Sequence, residues 1–150
     1  MEPLTLYFDR NVGRRLPEAL RLLHLPGVRK NVVHHHADKH SLGMKGKKSE
    51  PLFPHNASDD QWLEFVGSRD WIVFSQDRKF HKAGYENEMF AIKQFKVGCF
   101  YLWGADAQTH EKAQVFLKAY DKILHAIQTT PRPFIYDVTK SGRLVKVPIK

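Results

Sequence analysis

Two aspartates close short apolar runs in this chain. Leu4-Thr5-Leu6-Tyr7-Phe8 stops at Asp9, and Trp71-Ile72-Val73-Phe74-Ser75-Gln76 stops at Asp77. Runs of this length and character suit strands buried on both faces of a parallel sheet. Ligands of such sheets gather outside the carboxyl ends of the strands, so both carboxylates fall where chemistry is usually done. Either Asp alone reads as a turn former or a helix cap; a matching pair defines a candidate site. Two further acids stand out by helical spacing. Asp59, Trp62, Leu63 and Val66 share one face, while Asp60 falls on the other. Asp59 therefore points along the apolar side or supports the helix N-terminus. Glu88 lies within the stripe Tyr85, Met89, Ile92 and Phe95, with Glu86 projecting elsewhere. A carboxylate inside such a stripe needs a cation or metal beside it unless it reaches the stripe's wet margin.

The chemistry these residues suggest is metal-assisted. Several carboxylates in a small space repel one another and take up protons, and a divalent cation removes that conflict. Oxygen ligands without cysteine favour a hard ion, magnesium or manganese. Such an ion lowers the pKa of bound water and stabilises charge on a phosphodiester. The rest of the composition fits an anionic substrate. Lys and Arg number 24 against 16 acids, a net charge of +8. A basic surface of this kind favours polyanions. Arg10, Arg14, Arg15, Arg78, Lys79 and Lys82 lie nearest in sequence to the acids and form the local rim. Any one of them taken singly is a solvated surface charge.

His34-His35-His36 and His40 invite a zinc reading. Adjacent strand residues point to opposite faces, so three successive histidines do not converge on one ion. The expectation is a polar strand end meeting phosphate or solvent.

Strands and helices alternate around these residues. A helix is expected over Leu16–Leu23 with Pro17 in its first turn, then a strand over Val28–Val33. Residues 41–56 have no periodicity and read as a long loop. Ser58 suits an N-cap for a helix to about Val66, and Tyr85–Phe95 has helical spacing. Val97–Trp103 is a strand, Thr109 suits the cap of a long helix to about Gln128, and Phe134–Thr139 and Arg143–Val147 flank a Ser141-Gly142 turn. This order predicts an α/β fold with a mainly parallel sheet and a C-terminal β-hairpin. Residues 1–150 are expected to form a single domain, large enough to fold without staples. The lone Cys99 reads as a small buried hydrophobe. No apolar run reaches a membrane span and the N-terminus lacks a signal-peptide pattern, which predicts a cytoplasmic protein without a membrane partner.

Phe8-Asp9-Arg10-Asn11, the Asp59-x-x-Trp62 helix start, the run Trp71–Asp77 and the later Glu88 together resemble the PIN-like domains of VapC-type toxins. The terminal Pro131-Arg132-Pro133-Phe134 and Ser141-Gly142-Arg143 hairpin resembles the compact PIN-like branch, so the likeness runs over nearly the whole chain. It implies a three-layer α/β/α PIN-like sandwich and a ribonuclease, with Mg2+ or Mn2+ as cofactor, RNA as substrate and a cognate antitoxin as partner. It also admits a homodimer. Carried across, Asp9, Asp59 and Asp77 match the metal-holding acids, with Glu88 as a further catalytic acid. Asn11 matches a polar residue after the first Asp, and Ser75 a small hydroxyl residue two before the later Asp. With Arg14, Arg15 and Lys79, these are the expected RNA-contacting residues. The additional strand-end acid of larger PIN nucleases is missing unless Asp106 supplies it. The competing reading is a non-catalytic PIN-like module that binds RNA or protein. A receiver-like phosphate handler is disfavoured, because no Gly-rich phosphate loop follows either Asp-terminated strand.

Overall fold

Short apolar runs form the strands and amphipathic runs the helices between them. The computed structural model describes residues 4–9, 11–35, 59–76 and 86–149 and, for residues 59–60 and 86–88, the backbone alone. The strands are β1 (Leu6–Phe8), β2 (Val32–His34), β3 (Ile72–Ser75), β4 (Gly98–Tyr101), β5 (Phe134–Val138) and β6 (Leu144–Val147). Helices α1 (Arg15–Leu22), α2 (Asp59–Ser68), α3 (Glu86–Gln94) and α4 (Thr109–Thr129) join the first five strands. The sheet order is β2-β1-β3-β4-β5-β6. Every neighbouring pair is parallel except β5 with β6, which is antiparallel. The expected parallel sheet and terminal hairpin are both present.

Alternation along the strands sorts side chains into two cores. Leu6, Phe8, Val32, Ile72, Phe74, Phe100 and Phe134 pack with Leu16 and Leu20 of α1 and with Phe116, Ala119 and Ile123 of α4. Tyr7, Val33, Val73, Cys99, Tyr101 and Ile135 pack with Trp62, Leu63 and Val66 of α2 and Ala91 and Ile92 of α3. The result is a three-layer sandwich, α1 and α4 on one face of the sheet and α2 and α3 on the other. Cys99 is buried in the second core, as a small hydrophobe should be.

An aromatic ladder pins the strand register on the α1/α4 face. Phe8 stacks on Phe74 at 5.0 Å, Phe74 on Phe100 at 5.3 Å, and Phe100 on Tyr136 at 5.6 Å. Side chains on a sheet repeat every two residues, so a one-residue slip would turn this ladder out of the core. Gly98 belongs to the same design. A Cβ there would meet Phe134 Cζ at 2.5 Å, so glycine lets the ring lie flat on the neighbouring strand.

Several boundaries differ from the sequence expectation. Val28 does not open β2. It is buried within a tight reversal in which the Val28 and Arg29 amides both donate to the Leu25 carbonyl, and Arg29 has φ 54°. Val28 is an apolar plug in a turn, which periodicity does not separate from a strand residue. Helix α1 starts at Arg15 and ends at Leu22, one residue earlier at each end than expected. At α4 the cap is Gln108 and not Thr109, with Glu111 completing a capping box. Gln is outside the preferred N-cap set, which is why the neighbouring Thr draws attention in the sequence. Ser58 and the loop 41–56 lie outside the described residues. Among the described residues no helix is long and apolar enough to cross a membrane.

Candidate active site at the carboxyl edge of β1 and β3

The register of the aromatic ladder sets two polar residues face to face. Phe8 is the partner of Phe74, so Asp9 and Ser75 stand opposite each other, and the Asp9 amide continues the ladder to the Phe74 carbonyl at 3.0 Å. Both residues share the parity of Tyr7 and Val73, on the α2/α3 side. The Ser75 hydroxyl donates to Asp9 Oδ2 at 2.6 Å. The Asn11 amide donates to Asp9 Oδ1 at 2.9 Å, and the Val12 amide donates to the Asp9 carbonyl at 3.1 Å. This is the habit of Asp in turns, a side chain accepting from an amide two residues on. Each carboxylate oxygen accepts a described hydrogen bond, and Asp9 is only 5% exposed. A carboxylate offers roughly four acceptor positions, so an oxygen held in this way can still bind a cation.

Topology adds weight to the position. From β1 the chain runs to β2 on one side, then returns to place β3 on the other. The crevice between β1 and β3, at their carboxyl ends, is where strand order reverses, and open α/β sheets bind ligands at such points. Asp9 and Ser75 sit at that reversal. Parallel pairing also puts the start of α2 and the start of α3 at this edge, because each helix follows a strand that ends there. Asp59 is the first residue of α2 and Glu88 the third of α3. Their side chains, and Asp77 and Lys79 entirely, lie outside the described residues. No group of three or more His, Cys, Asp or Glu is gathered among the described residues.

The remaining expected contacts divide. Arg14 caps α1 and Arg15 opens it; both are exposed just beyond the Asp9 turn, at the same edge. Asn11 is exposed and its described contribution to the site is its backbone amide. Ser75 is 1% exposed, so its hydroxyl meets the Asp9 carboxylate and not solvent. Asp106 is exposed in the turn before α4, apart from the β1–β3 crevice by the width of β4.

The described histidines depart from the expectation of a polar strand end meeting phosphate or solvent; His36 and His40 lie outside the described residues. His34 and His35 are both buried. Alternation sends them to opposite faces. His34 Nε2 donates to the Val12 carbonyl at 2.6 Å, which tethers the turn carrying Asp9. His35 hydrogen-bonds the Tyr7 hydroxyl through Nδ1 and meets Trp62 edge-on. They brace the site from β2. Strand parity is the readable signal for the split; nothing in the sequence marks Val12 as a partner. Equally unmarked is Gln76, whose Nε2 donates to the Trp103 carbonyl at 3.2 Å and links the β3 end to the β4 end.

A three-layer sandwich with a hydrogen-bonded carboxylate at its switch point defines a doubly wound α/β protein with a buried carboxylate at the sheet edge. A family model described as a PIN like domain matches residues 4–104, and the chain belongs to that family. The match spans β1 through β4; α4 and the hairpin lie beyond it. The PIN-like domain is generally a nuclease fold. Comparison with curated proteins and with solved structures returns no match.

Proposed function

We propose that this protein is a metal-dependent endoribonuclease, the toxin of a toxin–antitoxin pair, which hydrolyses RNA phosphodiesters at the β1–β3 edge. The observation that carries the reading is Asp9, a nearly buried carboxylate held by Ser75 and the Asn11 amide at the switch point of a PIN-like fold. Its donor chemistry fits a hard cation. The oxygens are oriented by hydrogen bonds, as the outer partners of metal ligands usually arrange them, and the lone thiol is buried elsewhere. Asp9 would hold Mg2+ or Mn2+ together with Asp59 and Asp77. When bound, such an ion would lower the pKa of a water and offset charge on the phosphodiester.

The chain's own residues do the rest. Ser75 keeps the Asp9 carboxylate turned to the edge. Glu88, near the start of α3, is the further acid available to take a proton. Arg14 and Arg15, exposed beside the turn, and Lys79 after β3 neutralise RNA phosphates and seat the strand. The resemblance to VapC-type toxins supports a cognate antitoxin protein as the partner that restrains the activity.

The test is cleavage of an unstructured RNA by purified protein. Wild type should cut with Mg2+ or Mn2+, lose activity to a chelator, and lose it again in Asp9→Asn and in Asp77→Asn. Cleavage by both variants at the wild-type rate would refute the site. Salt-sensitive RNA binding with no cleavage under manganese would favour the non-catalytic module instead.

A further inference from the structure

A second feature shares the carboxyl edge with Asp9. Trp103 follows β4, half-buried, and forms one wall of a cavity of about 220 Å³. Glu111, Gln114, Val115 and Lys118 of α4 line it, and Lys140 of the hairpin turn closes it. The four helix residues are spaced i, i+3, i+4 and i+7, so a single face of α4 makes the wall. The hairpin turn is seated against that wall. Gly142 has φ 84°, and a Cβ there would come within 3.1 Å of Lys118 Cγ.

The lining of this cavity combines an aromatic face, two lysines and two hydrogen-bonding side chains. We infer that it is a nucleobase pocket for single-stranded RNA, flanking the Asp9 site, with Trp103 as the stacking platform; the inference rests on the ribonuclease reading. Four observations support it. The indole is an aromatic face at the rim of a cavity smaller than the roughly 300–1,000 Å³ of drug-sized ligand sites, which suits one planar ring. Lys140 Nζ lies 5.5 Å from the Trp103 ring centroid, so this face is open enough to take a cation, and a flexible lysine can move aside to a phosphate as a base arrives. Glu111 and Gln114 offer an acceptor and an amide for the edge of a base, as single-stranded RNA recognition requires. Glu111 Oε1 already accepts the Gln108 amide at 3.3 Å, which fixes the carboxylate. Finally, Asp9 and Trp103 follow strands that end at the same edge: β1 and β4 are two strand spacings apart in the sheet, about 10 Å, with the Asp9 carboxylate on the α2/α3 side and the cavity walled by α4. The path between them runs from Asp9 to Ser75, then from Gln76 to the Trp103 carbonyl. A single strand that crosses this edge from Asp9 would bring a nucleotide further along the chain to the indole, while Lys118 and Lys140 meet its phosphates.

The experiment is fluorescence anisotropy of a labelled single-stranded oligoribonucleotide, with chelator present, in the Asp9→Asn background. Adding Trp103→Ala should weaken binding about 5- to 150-fold, and Trp103→Phe should restore most of it. A strand of the same length with abasic positions should not distinguish the three proteins. Lys118→Gln with Lys140→Gln should lower the salt slope of binding by about 1.4. Thermal melting shows whether Trp103→Ala is folded, and the phenylalanine variant carries the comparison if it is not. Equal binding by the tryptophan, phenylalanine and alanine proteins, or no RNA binding at all, would overturn the pocket. These readouts are of binding, so failure of the wild type to cleave would remove the nuclease reading and leave the pocket standing. Cleavage with Trp103-independent binding would do the reverse.

Discussion

The ends of β1 and β2 lie side by side and both carry titratable residues, yet they do different work. At β1, polar donors converge on one carboxylate from the opposing strand and from the following turn. At β2, two histidines diverge: His34 enters one layer to hold the Val12 carbonyl, and His35 enters the other to meet Tyr7 and Trp62. Residue type alone favours the histidines as a metal site. The hydrogen-bonding geometry instead converges on the aspartate. A site needs groups that aim at a common point, and alternation along a strand prevents neighbours from doing so. The histidines instead supply the rigidity that holds a charged turn in place, which explains why polar side chains are buried beside it.

Three substitutions put this contrast at risk, and a fourth, remote from both strand ends, is a reference for it. The largest effect belongs to Asp9→Asn. Loss of an outer partner of a metal ligand typically costs 10–100-fold, so loss of Asp9, the proposed ligand itself, should lower RNA cleavage beyond about 100-fold, measured at saturating Mn2+. Next comes His35→Ala, which leaves a cavity and strips the Tyr7 hydroxyl of a partner. It should cost about 2–4 kcal/mol in denaturant unfolding. Cleavage per folded molecule should stay within a few-fold of wild type. Abolished cleavage at unchanged stability would move His35 into the site and erase the distinction between the two strand ends. Ser75→Ala is third: cleavage falls about 10- to 100-fold with a higher metal requirement, because Asp9 loses one of the donors that orient it.

The smallest effect lies on the opposite flank, away from both strand ends. Tyr120 of α4 donates to the Pro26 carbonyl, and burial first, then the neighbouring Asp121 charge, raises its hydroxyl from 10.0 to about 12. A raised folded value favours the protonated form, so its stabilisation is full below about pH 10 and is lost as pH climbs toward 12. Tyr120→Phe should cost about 1 kcal/mol at neutral pH and flatten the alkaline loss of stability in thermal melts.

Much of this fold is legible in sequence because it depends on local rules. Asp-terminated apolar runs alternating with helical stripes determine a parallel sheet, and that topology brings the ends of β1 and β3 to one edge. The Ser141-Gly142 turn and the buried thiol are readable for the same reason. What escapes a sequence reading depends on contacts between distant segments. The tether from His34 to Val12, the bridge from Gln76 to Trp103 and the cavity between α4 and the hairpin each join residues that no spacing rule connects. Val28 misleads because burial in a turn and burial in a strand select the same side chain. The family resemblance makes Ser75 an expected RNA contact, and the contact the structure gives its buried hydroxyl is the Asp9 carboxylate, which no spacing rule predicts.

The catalytic reading of the β1–β3 edge requires Asp9 to be a ligand for a hard cation. Titration of the metal-free protein with Mn2+, followed by the loss of the free-ion paramagnetic resonance signal, reads this without any RNA. Saturable binding is expected of wild type, with at least tenfold weaker binding by Asp9→Asn and an intermediate loss in Ser75→Ala. Equal Mn2+ affinity in wild type and Asp9→Asn would contradict it.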